Sequence, residues 1–160
     1  MNFDSLEPPY LYLSIATPKE FAEYAYRLNY DKGSELAVRV VRGHKMRRLC
    51  GLYDEFAAAF QFPDYFGENW DALDECLADL EWLPAAGYVL FVSNTVVALG
   101  EEPEKQFATF VSVLSGICEE WARANTPKPF HVLLQCMEGD VENLRRRAQS
   151  PLATVSIQLF

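Results

Sequence analysis

PDYFGENWDALDECLADLE, residues Pro63 to Glu81, holds seven carboxylates (Asp64, Glu68, Asp71, Asp74, Glu75, Asp79 and Glu81) and no Lys, Arg or His. Asn69 is a good N-cap and no Pro or Gly follows until Pro84, so the stretch predicts a helix from Trp70 to Glu81. At about 100° per residue, Trp70, Leu73, Cys76, Leu77 and Leu80 gather on one side, while Glu68, Asp71, Glu75 and Asp79 line up opposite within about 80°. A rise of ~1.5 Å per residue makes that acidic row roughly 16 Å long. Asp71 lies in the first turn, where the helix dipole favours it; Glu75 and Asp79 gain nothing there and repel their neighbours at i,i+4. The plain reading is a solvated helix face serving solubility. The alternative is a ridge whose repulsion is relieved when a cationic partner meets it.

The residues around the helix start bear on that choice. Phe62-Pro63-Asp64-Tyr65-Phe66-Gly67-Glu68-Asn69, then Asp71-Ala72-Leu73 and Cys76-Leu77, resemble the signature of the barstar family, intracellular inhibitors of the ribonuclease barnase. The family pattern is a Pro, an acidic residue, two aromatics, Gly-Glu-Asn, Asp-Ala-Leu and a Cys-Leu pair. The likeness continues more loosely from Leu36 to Cys136, leaving both ends of the chain outside it.

The resemblance implies an α/β fold, barstar-like, with a central, mostly parallel sheet of three core strands with helices; the N- and C-terminal elements lie outside the resemblance and extend this core, with added edge strands as one possibility. It also implies inhibition by phosphate mimicry, in which carboxylates on a rigid helix occupy a basic ribonuclease active site and offer no cleavable bond. By motif, Asp71 takes the place of the first partner-binding Asp and Glu75 that of the second, the phosphate surrogate. Tyr65 matches the aromatic before Gly67, Asn69 the Asn opening the helix, and Glu119 is a weaker match for an acidic residue on the family's last helix. Glu68, Asp74 and Asp79 complete the candidate partner-binding set. Gly67 is expected to supply a positive φ or a close backbone approach. Two departures stand out: Glu75 is one methylene longer than the family's Asp, and Asp74 stands where barstar has a Trp. Both fit a basic cleft of a different shape.

At 160 residues, half of them hydrophobic and 14% aromatic, the chain is expected to fold as one domain with a single core. Its parts would be a strand-helix extension over 1–35, a core over 36–136 and a C-terminal extension over 137–160. No run approaches the ~20 apolar residues of a membrane helix, and MNFDSLEPPY lacks a signal peptide's basic start, so a cytoplasmic location with no membrane partner is expected. Cys50, Cys76, Cys118 and Cys136 lie far apart, without a CxxC; the last three sit in apolar patterns as reduced core thiols. A net charge of −9 argues against nucleic acid and for a basic protein partner.

Before the core, Tyr10 to Ile15 is β-prone, and Thr17-Pro18-Lys19-Glu20 combines an N-cap, a Pro at N1 and a Glu at N3. This unit could extend the sheet, cover an edge or mediate association. Strands follow at Leu36 to Val41, Tyr88 to Val92 and Phe130 to Leu134, separated by helical patterns over Leu49 to Phe60, the acidic stretch, and a long helix opening at Pro103. Strands alternating with helices predict a parallel sheet with right-handed crossovers. Asn94 to Gly100 is ambiguous. Beyond the core, Arg145, Arg146 and Arg147 read as a solvated helix end, and Thr154 to Phe160 alternates like a half-exposed edge strand.

Enzyme chemistry finds little support. His44 falls in a turn and His131 in a core strand, where a hydrogen-bonded structural role is the simpler reading than a Cys–His pair. The carboxylates could hold Mg²⁺ or Ca²⁺, or act as paired acids in a metal-dependent hydrolase, but a straight ridge does not converge on one ion. The sequence therefore favours a non-enzymatic ribonuclease inhibitor without cofactor. The alternatives are an adaptor for another basic protein, its added ends building a homo-oligomer, and then the hydrolase.

Overall fold

The computed structural model describes residues 1–157. Five strands, β1 (Leu11–Ile15), β2 (Leu36–Arg42), β3 (Gly87–Ser93), β4 (Phe130–Cys136) and β5 (Ala153–Ser156), form one sheet in the order β2-β3-β4-β1-β5. Every pairing is parallel, with Ala37 beside Tyr88, Leu90 beside Val132 and Leu13 beside Leu134. Five helices connect them: α1 (Pro18–Lys32), α2 (Leu49–Phe60), α3 (Trp70–Asp79), α4 (Lys105–Arg123) and α5 (Val141–Ala148). No helix among the described residues is long and apolar enough to cross a membrane.

The N-terminal unit extends the sheet, the first of its three readings: β1 lies between β4 and β5, and β5 takes the outer edge. Of the expected last strand, Ala153–Ser156 is formed, while Gln158, Leu159 and Phe160 lie outside the described residues. The capping box at the start of α1 is present: Thr17 Oγ1 accepts from the Glu20 amide at 3.3 Å, and Glu20 accepts from the Thr17 amide at 2.8 Å.

Chain direction sets the layers. From β2 onward each crossover steps the same way across the sheet, whereas the crossover from β1 to β2 reverses it, so a right-handed connection puts α1 on the opposite face. Alternating strand residues serve both faces. Val41, Leu90, Val132 and Leu134 meet the helices that follow β2, while Val38, Val89, Phe91 and Leu133 meet Phe21 and Ala25 of α1, with Phe3 alongside.

The expectations for individual segments divide. Cys76, Cys118 and Cys136 are buried free thiols and Cys50 is exposed. The ambiguous Asn94 to Gly100 segment forms a 3-10 turn over Thr95–Val97, with Thr95, Ala98 and Leu99 buried. The long helix begins at Lys105, two residues past Pro103. The arginine triplet is a solvated helix end only at Arg146; Arg145 and Arg147 are half-buried. Arg145 donates to the Leu152 carbonyl at 3.0 Å and Arg146 pairs with Glu104 at 2.9 Å. Arg147 donates to the carbonyls of Val96 at 2.9 Å and Ala98 at 2.7 Å, its guanidinium 4.1 Å from the Phe107 ring centre. The turn carbonyls after β3 need donors, and a planar guanidinium on an aromatic face supplies two at once.

Candidate functional site

Aromatic residues set the entry into α3. Phe62 and Phe66 meet edge to face at 4.8 Å between ring centres, Phe66 packs on Tyr53 at 6.0 Å, and Phe62 packs on Trp82 at 6.2 Å. With these rings turned inward, the Phe66 amide closes a turn on the Pro63 carbonyl at 3.0 Å. Tyr65, between them, is left 71% exposed. Of the two roles open to Gly67, the left-handed conformation belongs to its neighbour Glu68, at φ 51°. Gly67 serves close approach: a Cβ there would stand 3.3 Å from Asn69 Nδ2 and 3.5 Å from Ala72 Cβ, against the helix start.

Asn69 caps α3, its Oδ1 accepting from the Ala72 amide at 2.8 Å. The helix is shorter than predicted, ending at Asp79 because Leu80 turns to φ 49°, with its amide returning to the Cys76 carbonyl. That turn keeps Leu80 buried and releases Glu81 to solvent. Leu73, Cys76 and Leu77 are buried, and α4 holds the helix at both ends: Trp70 Nε1 donates to Gln106 Oε1 at 2.9 Å and Trp121 Nε1 to the Leu77 carbonyl at 2.9 Å.

The outer face is the acidic ridge. Asp64, Glu68, Asp71, Asp74, Glu75, Asp79 and Glu81 are all exposed. The seven ion pairs among the described residues use other carboxylates: Glu23, Glu35, Glu55, Glu101, Glu104, Glu119 and Glu142. The ridge's field is felt by its neighbours. Burial first, then the charges of Asp79 and Glu75, raise the Cys76 thiol above its usual value. Lost hydration and then Asp79 raise the Tyr65 phenol, which places Tyr65 on the Asp79 flank.

Of the expected residues, Tyr65, Gly67, Glu68, Asn69, Asp71, Asp74, Glu75 and Asp79 are brought together on this surface. Glu119 is not. It lies on the far flank of α4, beside Tyr10, Leu11 and Pro151, and pairs with Arg123 at 3.9 Å. Counted at about 100° per residue from Gln106, which meets Trp70, Glu119 is ~140° away and Glu120 only ~40°. The exposed Glu120 therefore leans toward α3, on the side opposite Tyr65. Sequence matching could not separate two adjacent glutamates; the 3.6-residue phase relative to Gln106 and Trp121 does.

The arrangement is suited to ion pairing. Asp71, Glu75 and Asp79 succeed one another about 6 Å apart along the axis, and among the described residues no three His, Cys, Asp or Glu side chains are grouped to hold a metal ion. His131 is buried in β4, where Nε2 donates to the Ser5 carbonyl at 3.0 Å. The exposed His44 lies 3.3 Å from Asn94 Nδ2. A family model described as barstar, the barnase inhibitor, matches residues 36–135. Comparison with curated proteins and with solved structures returns no match.

Proposed function

The chain belongs to the barstar family, and we propose that it is an intracellular ribonuclease inhibitor whose α3 ridge enters the active site of a basic ribonuclease in place of RNA. What carries the reading is a row of exposed carboxylates, none neutralised by a cation of its own fold among the described residues. A ribonuclease grips an anionic backbone with Lys, Arg and His; Asp71, Glu75 and Asp79 present anions to those groups on a helix already held by Asn69, Trp70 and Trp121. Little ordering entropy remains to be lost on binding, and the net charge of −9 draws a basic partner in. Tyr65 on one flank and Glu120 on the other would frame the partner's cleft. The inhibitor performs no chemistry itself, and its cytoplasmic role would be to neutralise a secreted or toxin ribonuclease inside the producing cell.

The test mixes purified protein with a panel of small basic ribonucleases and measures residual RNA cleavage. Asp71→Ala or Glu75→Ala should weaken binding by ~2 kcal/mol or more, because the partner's buried cation is stranded; barnase–barstar is itself one source of that range. Equal affinities for wild type and Asp71→Ala at both low and high salt would sink the reading. Glu75 and Asp74, which depart from the family pattern, keep a second reading in play: an adaptor for a basic protein that is not a ribonuclease. Capture of a basic partner without ribonuclease activity would favour it.

A further inference from the structure

α1 presents a second surface, on the side of the sheet away from the ridge. Tyr26 and Tyr30, one turn apart, are 72% and 81% exposed, and Val40 of the edge strand β2 is 45% exposed. Three of the seven large hydrophobic residues exposed in the described chain thus fall on these two elements. Between helix and strand opens a mainly apolar recess of about 370 Å³ walled by Ala22, Ala25, Tyr26, Asn29, Val38, Arg39 and Val40. Isolated exposed apolar residues are ordinary; a protruding tyrosine one turn from an apolar recess is a self-complementary shape.

Charge admits a second copy as the occupant. Residues 18–42 carry five cations (Lys19, Arg27, Lys32, Arg39, Arg42) and four anions (Glu20, Glu23, Asp31, Glu35), on a chain of net charge −9. This is a side on which two copies can meet without their net charges opposing contact. Strand addition is disfavoured, because Arg39 Nη1 already donates to the Val38 carbonyl at 2.9 Å and Glu55 accepts from the Arg42 amide at 3.0 Å. Side-chain packing between helices remains.

We infer that this face joins two copies of the chain, α1 crossing its counterpart antiparallel about a twofold axis near Tyr26. Such an axis relates position 26 + k to 26 − k, so Tyr30 of each copy lies over Ala22 of the other and fills its recess. It also brings Arg27 within reach of the other copy's Glu23, so the pair formed within one helix at 2.8 Å can extend across the interface. The ridge stays outside the contact, because α1 and α3 cover opposite faces of the sheet. The dimer therefore displays two ridges.

Sedimentation equilibrium of the full chain alone, from about 5 to 500 μM, spans the affinities expected of a small interface. The mass should rise from monomer toward dimer. Tyr30→Lys and, separately, Ala22→Arg should weaken association at least tenfold, with circular dichroism establishing that each exposed-site variant is folded. A wild-type mass fixed at monomer over the whole range overturns the proposal. So does a folded variant that associates as strongly as wild type, since contact would then lie elsewhere. No ribonuclease is present, so failure here is distinct from failure of the inhibitor reading.

Discussion

Trp121 donates its indole N–H to the carbonyl oxygen of Leu77 at 2.9 Å, tying the last turn of α3 to α4. Leu77 belongs to the last turn of a ten-residue helix, where carbonyls lack intrahelical partners, and a helix that short is marginal alone. The acidic ridge is thus rigid because another helix supplies the missing donor.

Trp121→Phe keeps most of the ring packing against Tyr88 and deletes the donor. Stability should fall by about 1 kcal/mol, with a lower urea midpoint and an unchanged m-value. Amide exchange in α3 should accelerate more than in β3 or β4. Uniform acceleration would mean that the bond does not specifically hold the helix.

Glu75→Gln should separate stability from binding. It removes like-charge pairs with Asp71 and Asp79, each costing about 0.2–0.5 kcal/mol at i,i+4, so the variant should melt slightly higher at low salt and equally at high salt. Affinity for the proposed basic partner should drop at the same time. A lower melting temperature would reveal a partner for Glu75 within the fold itself.

His131 predicts a pH dependence. Burial pushes its imidazole below the usual value, outweighing backbone hydrogen bonds that favour the charged form. The unfolded chain therefore takes up the proton more readily. The stabilisation is fully present above about pH 6.5 and is lost as pH falls below it toward the lower folded-state value. His131→Gln should flatten that part of the curve, measured by urea midpoints between about pH 7.5 and 5. The same slope in the variant would assign it to other groups.

Arg147→Met should cost about 2–3 kcal/mol, since it strands the Val96 and Ala98 carbonyls and removes a cation from the Phe107 face. Arg147→Lys should recover little, because one ammonium cannot serve both carbonyls while lying flat on the ring. Thermal melts of the two variants settle this; full rescue by Lys would reduce the role to charge alone.

The α3 inner face, the Asn69 cap and the strand-helix alternation were legible because burial writes a period into sequence and caps have few suitable residues. The position of β1 was not: pairing partners are chosen across more than a hundred residues, and Leu11 to Ile15 carries no local mark of β4. The arginine triplet misled for a related reason. Three cations at a helix end look alike in sequence, whether they face water or reach the turn carbonyls behind β3. Glu119 was matched by motif, which is blind to helical phase, and of the two roles open to Gly67 the positive φ fell to Glu68 because propensity favours Gly but does not oblige it.

Gln135 in β4 accepts from the Asn94 amide at 2.8 Å and donates to the Ala16 carbonyl at 2.8 Å, so one side chain grips the loops following β3 and β1. A fragment trimmed to residues 36–135 would forfeit the second anchor and strip the cover from Val38, Val89, Phe91 and Leu133. Whoever wishes to miniaturise this chain, or to graft its acidic helix elsewhere, must carry the leading strand and helix along. Here the shared family portion is a dependent piece of a larger interlocked body, and shortening it should yield a sticky polypeptide in place of a smaller stable one.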